Sequence, residues 1–229
     1  MPSPPRPGET RRLYQQVADR IRGVIEENGI GIGARLPPER ELATQLGVSR
    51  PSLREALIAL EIDGQVEIRM GSGIYVCAPP TAPALRTSAL GESPIELMQA
   101  RAAIESAVIT LAAARVTPAA LERVADSLAA MRREHARGRM PLEADRRFHL
   151  GIAEMSGNSV LVRMVGELFD GRHGPLSSRM SRRSETAHTW NVALEEHERI
   201  FRALEARDPQ QAAAAMFTHL RASEERWVG

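Results

Sequence analysis

The spacing of apolar residues in the first third of the chain predicts three short amphipathic helices. Between residues 10 and 28, apolar side chains recur every three or four positions, as they do along one face of a helix. The same spacing predicts a second helix over residues 39–46. A third helix is expected after Ser49, which can cap its N-terminus. A glycine ends each segment, at Gly29, Gly47 and Gly64.

A strand-like alternation of apolar and polar residues follows the third helix. It covers residues 65–69 and 74–77, and the segment MGSG between them supplies a tight turn. Cys77 is interpreted as a small strand residue. Three helices and a hairpin, in this order, are typical of a winged helix-turn-helix. We predict this fold for residues 1–77, with a flexible tail over residues 1–9.

The rest of the chain is predicted to be a linker and a helical bundle. Residues 78–92 are rich in Pro, Ala and Thr and show no continuous period, which is typical of a linker. From residue 93 to residue 229 the helical period returns. The fold class is therefore mainly α, with an all-α C-terminal domain of about six helices. The breaks between these helices fall near Thr117, Gly138, Gly157, Gly171 and Asp208.

The composition of the chain argues against a membrane protein, a secreted protein and a protein held by internal disulfides. The 229 residues are 43% apolar and 26% charged, and they contain no apolar run of the roughly 18 residues that a membrane span requires. The N-terminus lacks the apolar segment of a secretory signal. The single cysteine excludes an internal disulfide and fits a reducing compartment. We expect a cytoplasmic protein without a membrane partner.

The net charge of +1 does not by itself indicate nucleic-acid binding, so a local arrangement has to carry that function. A recognition helix enters the major groove by its N-terminal end, where Arg and Ser side chains can bond base edges and phosphates. Taken alone, such residues would be read as a solvated helix start, but the order of elements around them favours DNA binding. The candidates are Ser49, Arg50, Ser52 and Arg54, with Arg40 on the preceding helix as a phosphate contact.

The segment LPPERELATQLGVSRPSLREALIALEIDGQVEIRMGSGIYV resembles the helix-turn-helix and wing of the GntR family almost position for position. The resemblance implies a homodimer that binds a near-palindromic operator. It also implies DNA contacts from the five residues above and from Gly71 at the wing tip. Met70 stands where some relatives have a more polar wing residue, which puts a contact from that position in doubt.

Four potential metal ligands lie on apolar stripes of the C-terminal domain. Asp145 and His149 are four positions apart, so both project from one face of a helix. His197 and His219 also share stripes with apolar residues. A single inward His is usually a satisfied core residue, but an Asp and three His would be unfavourable to bury without a cation or other partners. We predict a divalent metal site, with zinc as first choice and nickel, manganese or iron as alternatives.

The segments ARAAIES, RRFHLGIAEMSGN and EEHERIFRALEARDPQQAAAAMFTHL resemble the ligand-sensing FCD domain of the FadR branch of that family. In metal-containing members one Asp and three His hold a divalent ion, and the resemblance implies that role for the four residues above. It also matches Arg101 to an arginine near the ion, where guanidinium and metal together bind a carboxylate. A surface position is the alternative for Arg101.

Three further residues of this domain have open roles. Asn191 is predicted to contact hydroxyl groups of the effector, with helix capping as the alternative. Glu105 is either a pocket acceptor or an acid on the helix surface, and His173 is interpreted as loop surface.

The segments LYQQV, LPPERE, LEIDGQVEIRMGSGIYV and ELMQARAAIES resemble hexuronate-utilisation repressors within this branch. The resemblance implies a sugar-acid effector that releases the repressor from its operator. Lactate or an aldarate stays open as effector, because the same arginine and metal would hold either one. A relative that senses fatty acyl-CoA without a metal is disfavoured by the intact Asp and His set.

A metal-dependent hydrolase is the remote alternative, because a metal held by an Asp and three His could activate water. The sequence offers no clear general base beside these residues, and an enzyme would not explain the winged helix. We do not expect an enzyme.

Overall fold

The computed structural model describes residues 12–78 and 90–228. The predicted tail over residues 1–9 and most of the predicted linker, residues 79–89, lie outside the described residues. The chain divides into two compact units. Among the described residues, the first unit contains 12–78, 90–93 and Gly174–Arg179, and the second unit contains Pro94–His173 and 180–228.

The first unit has the predicted order of three helices and a hairpin. Its elements are α1 (Leu13–Glu27), α2 (Glu39–Leu46), α3 (Arg50–Ile62), β1 (Val66–Arg69) and β2 (Gly73–Val76). The two strands pair antiparallel, with Val66 opposite Val76 and Arg69 opposite Gly73. Cys77 follows the last residue of β2 and is half-buried. The predicted winged helix-turn-helix architecture is confirmed.

Local chemistry explains the bounds of α2 and α3. Gly47 ends α2 with φ of 61°, a left-handed conformation that glycine adopts without steric strain. Ser49 then caps α3, because its hydroxyl oxygen accepts a hydrogen bond from the backbone N–H of Ser52. Three leucines of α3, spaced by four and three positions, point into a continuous apolar core: Leu53, Leu57 and Leu60.

The remaining helices are α4 (Pro94–Ala113), α5 (Pro118–Ala136), α6 (Leu142–Met155), α7 (Ser159–Asp170), α8 (Pro175–Ser184), α9 (Ala187–Glu205) and α10 (Pro209–Val228), and a 3-10 turn at Gly171–His173 follows α7. The prediction of a mainly helical C-terminal part is confirmed. No glycine or proline marks the division between α8 and α9. Thr186 makes that division, because its side chain caps α9 at the backbone N–H of Thr189.

Four helices of the second unit enclose the candidate site. The helix α10 packs against α4 and α9, and α6 packs against α4, α5 and α7. The interior of the unit is unusually polar, because charged and imidazole side chains are buried on α4, α6, α9 and α10. None of the helices within residues 12–78 and 90–228 is long and apolar enough to cross a membrane.

Candidate functional site

The four predicted metal ligands meet in the interior of the second unit. Asp145 and His149 lie one turn apart on α6, His197 lies on α9, and His219 lies on α10. All four are buried, and each offers one ligand atom such that the four atoms lie within 4.8 Å of one another. Residues that are 74 positions apart in sequence therefore form one cluster, which we call the Asp–His cluster.

Each imidazole of the Asp–His cluster is oriented by a hydrogen bond at Nδ1. Nδ1 of His149 pairs with the carboxylate of Glu105, and Nδ1 of His219 lies 2.8 Å from Oε2 of Glu196. Nδ1 of His197 lies 2.7 Å from the backbone oxygen of Ala193. These partners leave Nε2 of each ring as the available ligand atom, as in histidines that bind metals.

The polar atoms at the centre of the Asp–His cluster show whether a cation fits there. Oδ1 of Asp145, Nε2 of His149 and Nε2 of His197 are buried and face one another, and they have no other hydrogen-bond partner. Oδ1 of Asp145 lies 2.8 Å from Nε2 of His197 and 3.5 Å from Nε2 of His149. Buried polar atoms without partners are unfavourable, and a divalent cation would bind all of them at once. The donor set therefore fits such an ion.

The protonation of the cluster follows from burial and neighbouring charges. Burial alone would raise the pKa of Asp145, but the imidazoles of His149 and His197 hold that pKa well below its usual value. Burial and the neighbouring His197 lower the pKa of His219 to about 3. Burial lowers the pKa of His149, but Glu105 and Asp145 raise it overall. Asp145 is thus ionised and His219 neutral, which are the protonation states that metal ligands require.

A cavity lies beside the Asp–His cluster. It is lined by Asp145, His197 and His219 from the cluster and by Arg101, Arg172, Ser184, Glu185, Thr189, Trp190, Ala193, Ser223, Arg226 and Trp227. Both the cluster and the cavity lie within the second unit. A small molecule in this cavity would be in reach of a bound metal ion and of several arginines.

Arg101, which the sequence assigned to the effector, lines this cavity from α4. Its Nε donates to Oε1 of Glu105 at 2.7 Å, and its guanidinium carbon lies 4.6 Å from the ring centre of Phe169. Its Nη2 is buried and has no hydrogen-bond partner. Burial alone would raise the pKa of Glu105, but the charges of Arg101 and His149 lower it to about 2. Glu105 is therefore a buried acceptor that joins Arg101 to the cluster, rather than an acid on the helix surface.

Asn191 does not line the cavity. It is exposed on α9, and its Oδ1 lies 2.7 Å from Nε2 of His135 on α5. Trp190 and Ala193 of the same helix line the cavity, and Asn191 lies between them in sequence on a different face of the helix. The predicted contact of Asn191 with the effector therefore has no support in this geometry. His173 is exposed in the 3-10 turn, as expected of a surface residue.

Two arginines of the cavity were missed at the sequence level. Arg172 lies in the 3-10 turn, where no periodic pattern marks it, and donates to Oδ2 of Asp145 and to Oε1 of Glu185, both at 3.1 Å. Arg226 makes two hydrogen bonds to Glu196, at 2.8 and 2.9 Å. Arg226 lies seven positions after His219, so helical spacing could have identified it.

The predicted DNA contacts cluster at the start of α3 and on α2. Ser49, Arg50 and Arg40 are exposed, and the hydroxyls of Ser49 and Ser52 lie 2.8 Å apart. Arg54 is half-buried, with Nε 3.6 Å from Oε2 of Glu39. The N-terminal end of α3 thus presents hydroxyl and guanidinium groups to solvent, which is the arrangement that a recognition helix requires.

The wing has its predicted glycine at the turn. Gly71 lies between β1 and β2 with φ of 69°, a conformation that a side chain would strain. Met70 beside it is 87% exposed. The guanidinium carbon of Arg69, at the end of β1, lies 4.4 Å from the ring centre of Tyr75. A charged and aromatic pair therefore lies next to the wing tip.

Comparison with known families agrees with both units. Residues 13–76 match the family described as bacterial regulatory proteins, gntR family, and residues 96–222 match the FCD domain. The chain belongs to the GntR family. As a GntR-family protein with an FCD domain, it is a DNA-binding transcriptional regulator and not an enzyme, and the predicted membership is confirmed.

Individual relatives span nearly the whole GntR-family chain. It is 36% identical over 224 residues to the Exu regulon transcriptional regulator of Escherichia coli K12, which covers 93% of this chain and 83% of that protein. It is 34% identical to an E. coli K12 protein whose description assigns it to the L-lactate dehydrogenase operon, with 92% and 84% covered. The solved structure of a Streptococcus agalactiae GntR protein shares 26% identity with a TM-score of 0.51, over 93% and 99% of the two chains.

Proposed function

We propose that this protein is a cytoplasmic, metal-containing repressor of a sugar-acid catabolic operon, of the hexuronate type. As a homodimer it binds a near-palindromic operator, and a carboxylate effector in the cavity releases it. The single observation that carries the proposal is the Asp–His cluster beside the unpartnered guanidinium nitrogen of Arg101. A relative that regulates the Exu regulon supports the choice of a sugar acid.

In this proposal the first unit reads the operator through the start of α3. Arg50 donates to a base edge, and the hydroxyls of Ser49 and Ser52 bond phosphate or base atoms. Arg40 and Arg54 bind the phosphate backbone, and Gly71 lets the wing approach it. Exposure of Arg40, Ser49 and Arg50 supports these roles.

The second unit senses the effector. Asp145, His149, His197 and His219 would hold a divalent ion, with zinc as first choice, since one carboxylate and three imidazoles suit it. The bound ion would supply a positive charge that attracts a carboxylate. Arg101 donates to the same carboxylate from the opposite helix, and Glu105 keeps both the arginine and His149 in place.

Effector binding reorders the helices around the cavity and changes the spacing of the two operator-reading units in the dimer. A coupling free energy of about 1–3 kcal/mol corresponds to a change in operator affinity of roughly 5- to 150-fold. This is sufficient for release at ordinary effector concentrations.

Calorimetry on the full-length, metal-loaded protein tests the sensor. We expect D-glucuronate or D-galacturonate to bind with a dissociation constant on the order of micromolar, and binding to disappear after chelation. The variant His149→Ala should lose both metal and binding, whereas the matched control His173→Ala, exposed and outside the cluster, should keep them. Equal binding by metal-loaded and chelated protein would contradict the metal-dependent site.

Operator binding is tested separately. Arg50→Ala should weaken binding by about 1–3 kcal/mol for each guanine contact that is lost, while calorimetric effector binding stays unchanged. Arg163→Ala, on the exposed face of α7, is the control. Protection of the operator by Arg50→Ala at wild-type concentrations would show that α3 is not the recognition helix.

A second effector, L-lactate, is favoured by one observation, the 34% identity to the protein assigned to the L-lactate dehydrogenase operon. The same metal and Arg101 would hold the lactate carboxylate. Including lactate in the calorimetric titrations decides between the two, because the effector is the acid that binds at the lowest concentration and weakens operator binding.

A further inference from the structure

The buried polar atoms that line the cavity point to one donor that the proposed site does not use. Four lining residues carry such an atom: Oδ1 of Asp145 and Nε2 of His197, which face each other and have no other partner, and Nη2 of Arg101 and Nε1 of Trp190, which have no hydrogen-bond partner. The cation would bind the first two, and the effector carboxylate would accept from the third. The indole N–H of Trp190 remains, and buried tryptophans usually donate to a partner.

Other polar groups of the cavity are already engaged. The Thr189 hydroxyl donates to the backbone oxygen of Ser184 at 3.2 Å, and the Ser184 hydroxyl donates to the backbone oxygen of Met180 at 2.9 Å. Ser223 accepts from Nη2 of Arg226 at 2.8 Å. Trp190 itself is 5% exposed, so bulk water does not satisfy its N–H. Within the described residues this N–H has no acceptor, and a molecule in the cavity that Trp190 lines can supply one.

We propose that the indole N–H of Trp190 donates a hydrogen bond to a hydroxyl or ring oxygen of the effector. This selects a polyhydroxylated acid over a small carboxylate that reaches only the metal and Arg101. The inference rests on the proposed function, because it takes the cation and Arg101 as the carboxylate site. A site built to bond a hydroxyl group rejects analogues without it, since the buried donor is then left unpaired.

The chain is well suited to a test, because its only two tryptophans, Trp190 and Trp227, both line this cavity. Intrinsic fluorescence of the metal-loaded full chain therefore reports on the cavity. In Trp190→Phe, Trp227 remains as the reporter. We expect the dissociation constant of D-glucuronate or D-galacturonate to rise about three- to tenfold, the effect of losing one neutral hydrogen bond. The dissociation constant of acetate, measured by competition, should stay unchanged within about twofold.

Trp227→Phe is the matched control for Trp190→Phe, because it also replaces an indole with a smaller phenyl ring in the same cavity. Trp227 stacks on Arg172, whose guanidinium carbon lies 5.0 Å from its ring centre, and a phenyl ring can replace that stacking. This substitution should change the affinities for hexuronate and acetate by a common factor. If Trp227→Phe lowered the preference for hexuronate over acetate as much as Trp190→Phe does, the loss of ring size would explain both results. The assignment to the indole N–H of Trp190 would then be overturned.

A second measurement uses the wild-type protein and does not depend on how a variant folds. In protein labelled with nitrogen-15 tryptophan, two indole N–H signals are expected, one for each tryptophan. Adding the hexuronate should move the Trp190 indole proton downfield, as hydrogen bonding does, whereas acetate should leave it in place. Downfield movement with both ligands would refute the hydroxyl contact.

The outcomes separate this inference from the proposed function. Metal-dependent hexuronate binding with unchanged affinity in Trp190→Phe and an unmoved indole signal would overturn the role of Trp190 and leave the sensor intact. Failure of every hexuronate to bind the metal-loaded wild-type protein would overturn the proposed effector class and this inference together. If Trp190→Phe reduces the affinity for hexuronate and leaves the affinity for acetate unchanged, the result supports both the proposed function and the role of Trp190.

Discussion

The interiors of the two units differ in what they bury. The first unit has a continuous apolar core drawn from all three helices and both strands, including Val17, Leu42 and Ile74. The second unit buries Arg101, Glu105 and the Asp–His cluster in its interior. Apolar burial alone stabilises a fold at about 25 cal/mol for each Å² removed from water, whereas buried ionised groups require partners.

This difference separates a scaffold from a sensor. In the proposed function the apolar core positions α3 for DNA. Most of the buried side-chain polar atoms that lack a partner within the described residues belong to the second unit, and Oδ1 of Asp63 is the one in the first unit. Under the proposed function, the stability of this second unit depends on the ion and the effector that bind in its interior.

Removal of the proposed metal ion is expected to give the largest difference in thermal stability between the two units. A cation present at a thousandfold excess over its dissociation constant stabilises the unit that binds it by about 4 kcal/mol, or on the order of 10 °C in Tm. Chelation should lower the transition that tryptophan fluorescence monitors, because Trp190 and Trp227 both belong to the second unit. The calorimetric transition of the first unit should not move. Equal shifts of both transitions would show that the units do not differ in this respect.

Truncation of a side chain in the apolar core of the first unit should destabilise that unit and leave the second unit unchanged. Leu57 is fully buried on α3, and Leu57→Ala should destabilise the first unit by about 3 kcal/mol through lost burial and a cavity. The transition monitored by tryptophan fluorescence should stay within the error of the wild type. Leu13→Ala, at a position that is 47% exposed on α1, is the matched control and should change stability by less than about 0.5 kcal/mol.

A change behind the cluster tests how its histidines are oriented. Burial alone would raise the pKa of Glu196, but His219 and Arg226 lower it to about 2, so Glu196 is an ionised acceptor for Nδ1 of His219. Glu196→Gln should raise the dissociation constant of the metal about 10- to 100-fold, as measured by competition with a chromogenic chelator. The neighbouring Glu195, whose side chain is 74% exposed, provides the control Glu195→Gln. Unchanged metal affinity in Glu196→Gln would remove Glu196 from the metal centre.

The smallest expected effect concerns a helix cap in the first unit. Ser49→Ala removes the oxygen that accepts from the N–H of Ser52 and should cost about 1 kcal/mol of stability, independent of metal. Ser49→Asp restores an accepting oxygen and should recover most of the loss. Denaturation followed by calorimetry, with and without chelator, measures both variants. Metal dependence of the Ser49→Ala effect would contradict the separation between the units.

Local patterns in the sequence were sufficient to predict most of the helices and strands and most residues of the candidate site. Period, glycine position and the capping Ser49 predicted α2 over its observed bounds and α3 to within about two residues, because these signals act between neighbours in sequence. The pair Asp145 and His149 was predictable because a single helix fixes their relation. Helical spacing also placed His197 and His219 on apolar stripes, and the family resemblance implied the metal-ligand role of all four residues.

Other features depended on tertiary contacts. The buried role of Glu105 comes from α4 lying against α6, and no local signal in the sequence distinguishes it from a surface acid. Arg172 reaches Asp145 across a turn without a period. Asn191 was assigned to the effector on the sequence, but the rotation of α9 directs it to His135 instead.

The sequence by itself determined where helices and strands form and which residues are chemically able to bind DNA, a metal and an acid. These properties depend on side-chain type and on spacing along one element. Only the tertiary structure decided which of these residues share a cavity and which polar atoms there lack a partner, as with Nε1 of Trp190. The reason is physical, because burial and hydrogen bonding between helices are set by how distant segments pack and are not encoded in any single stretch of the chain.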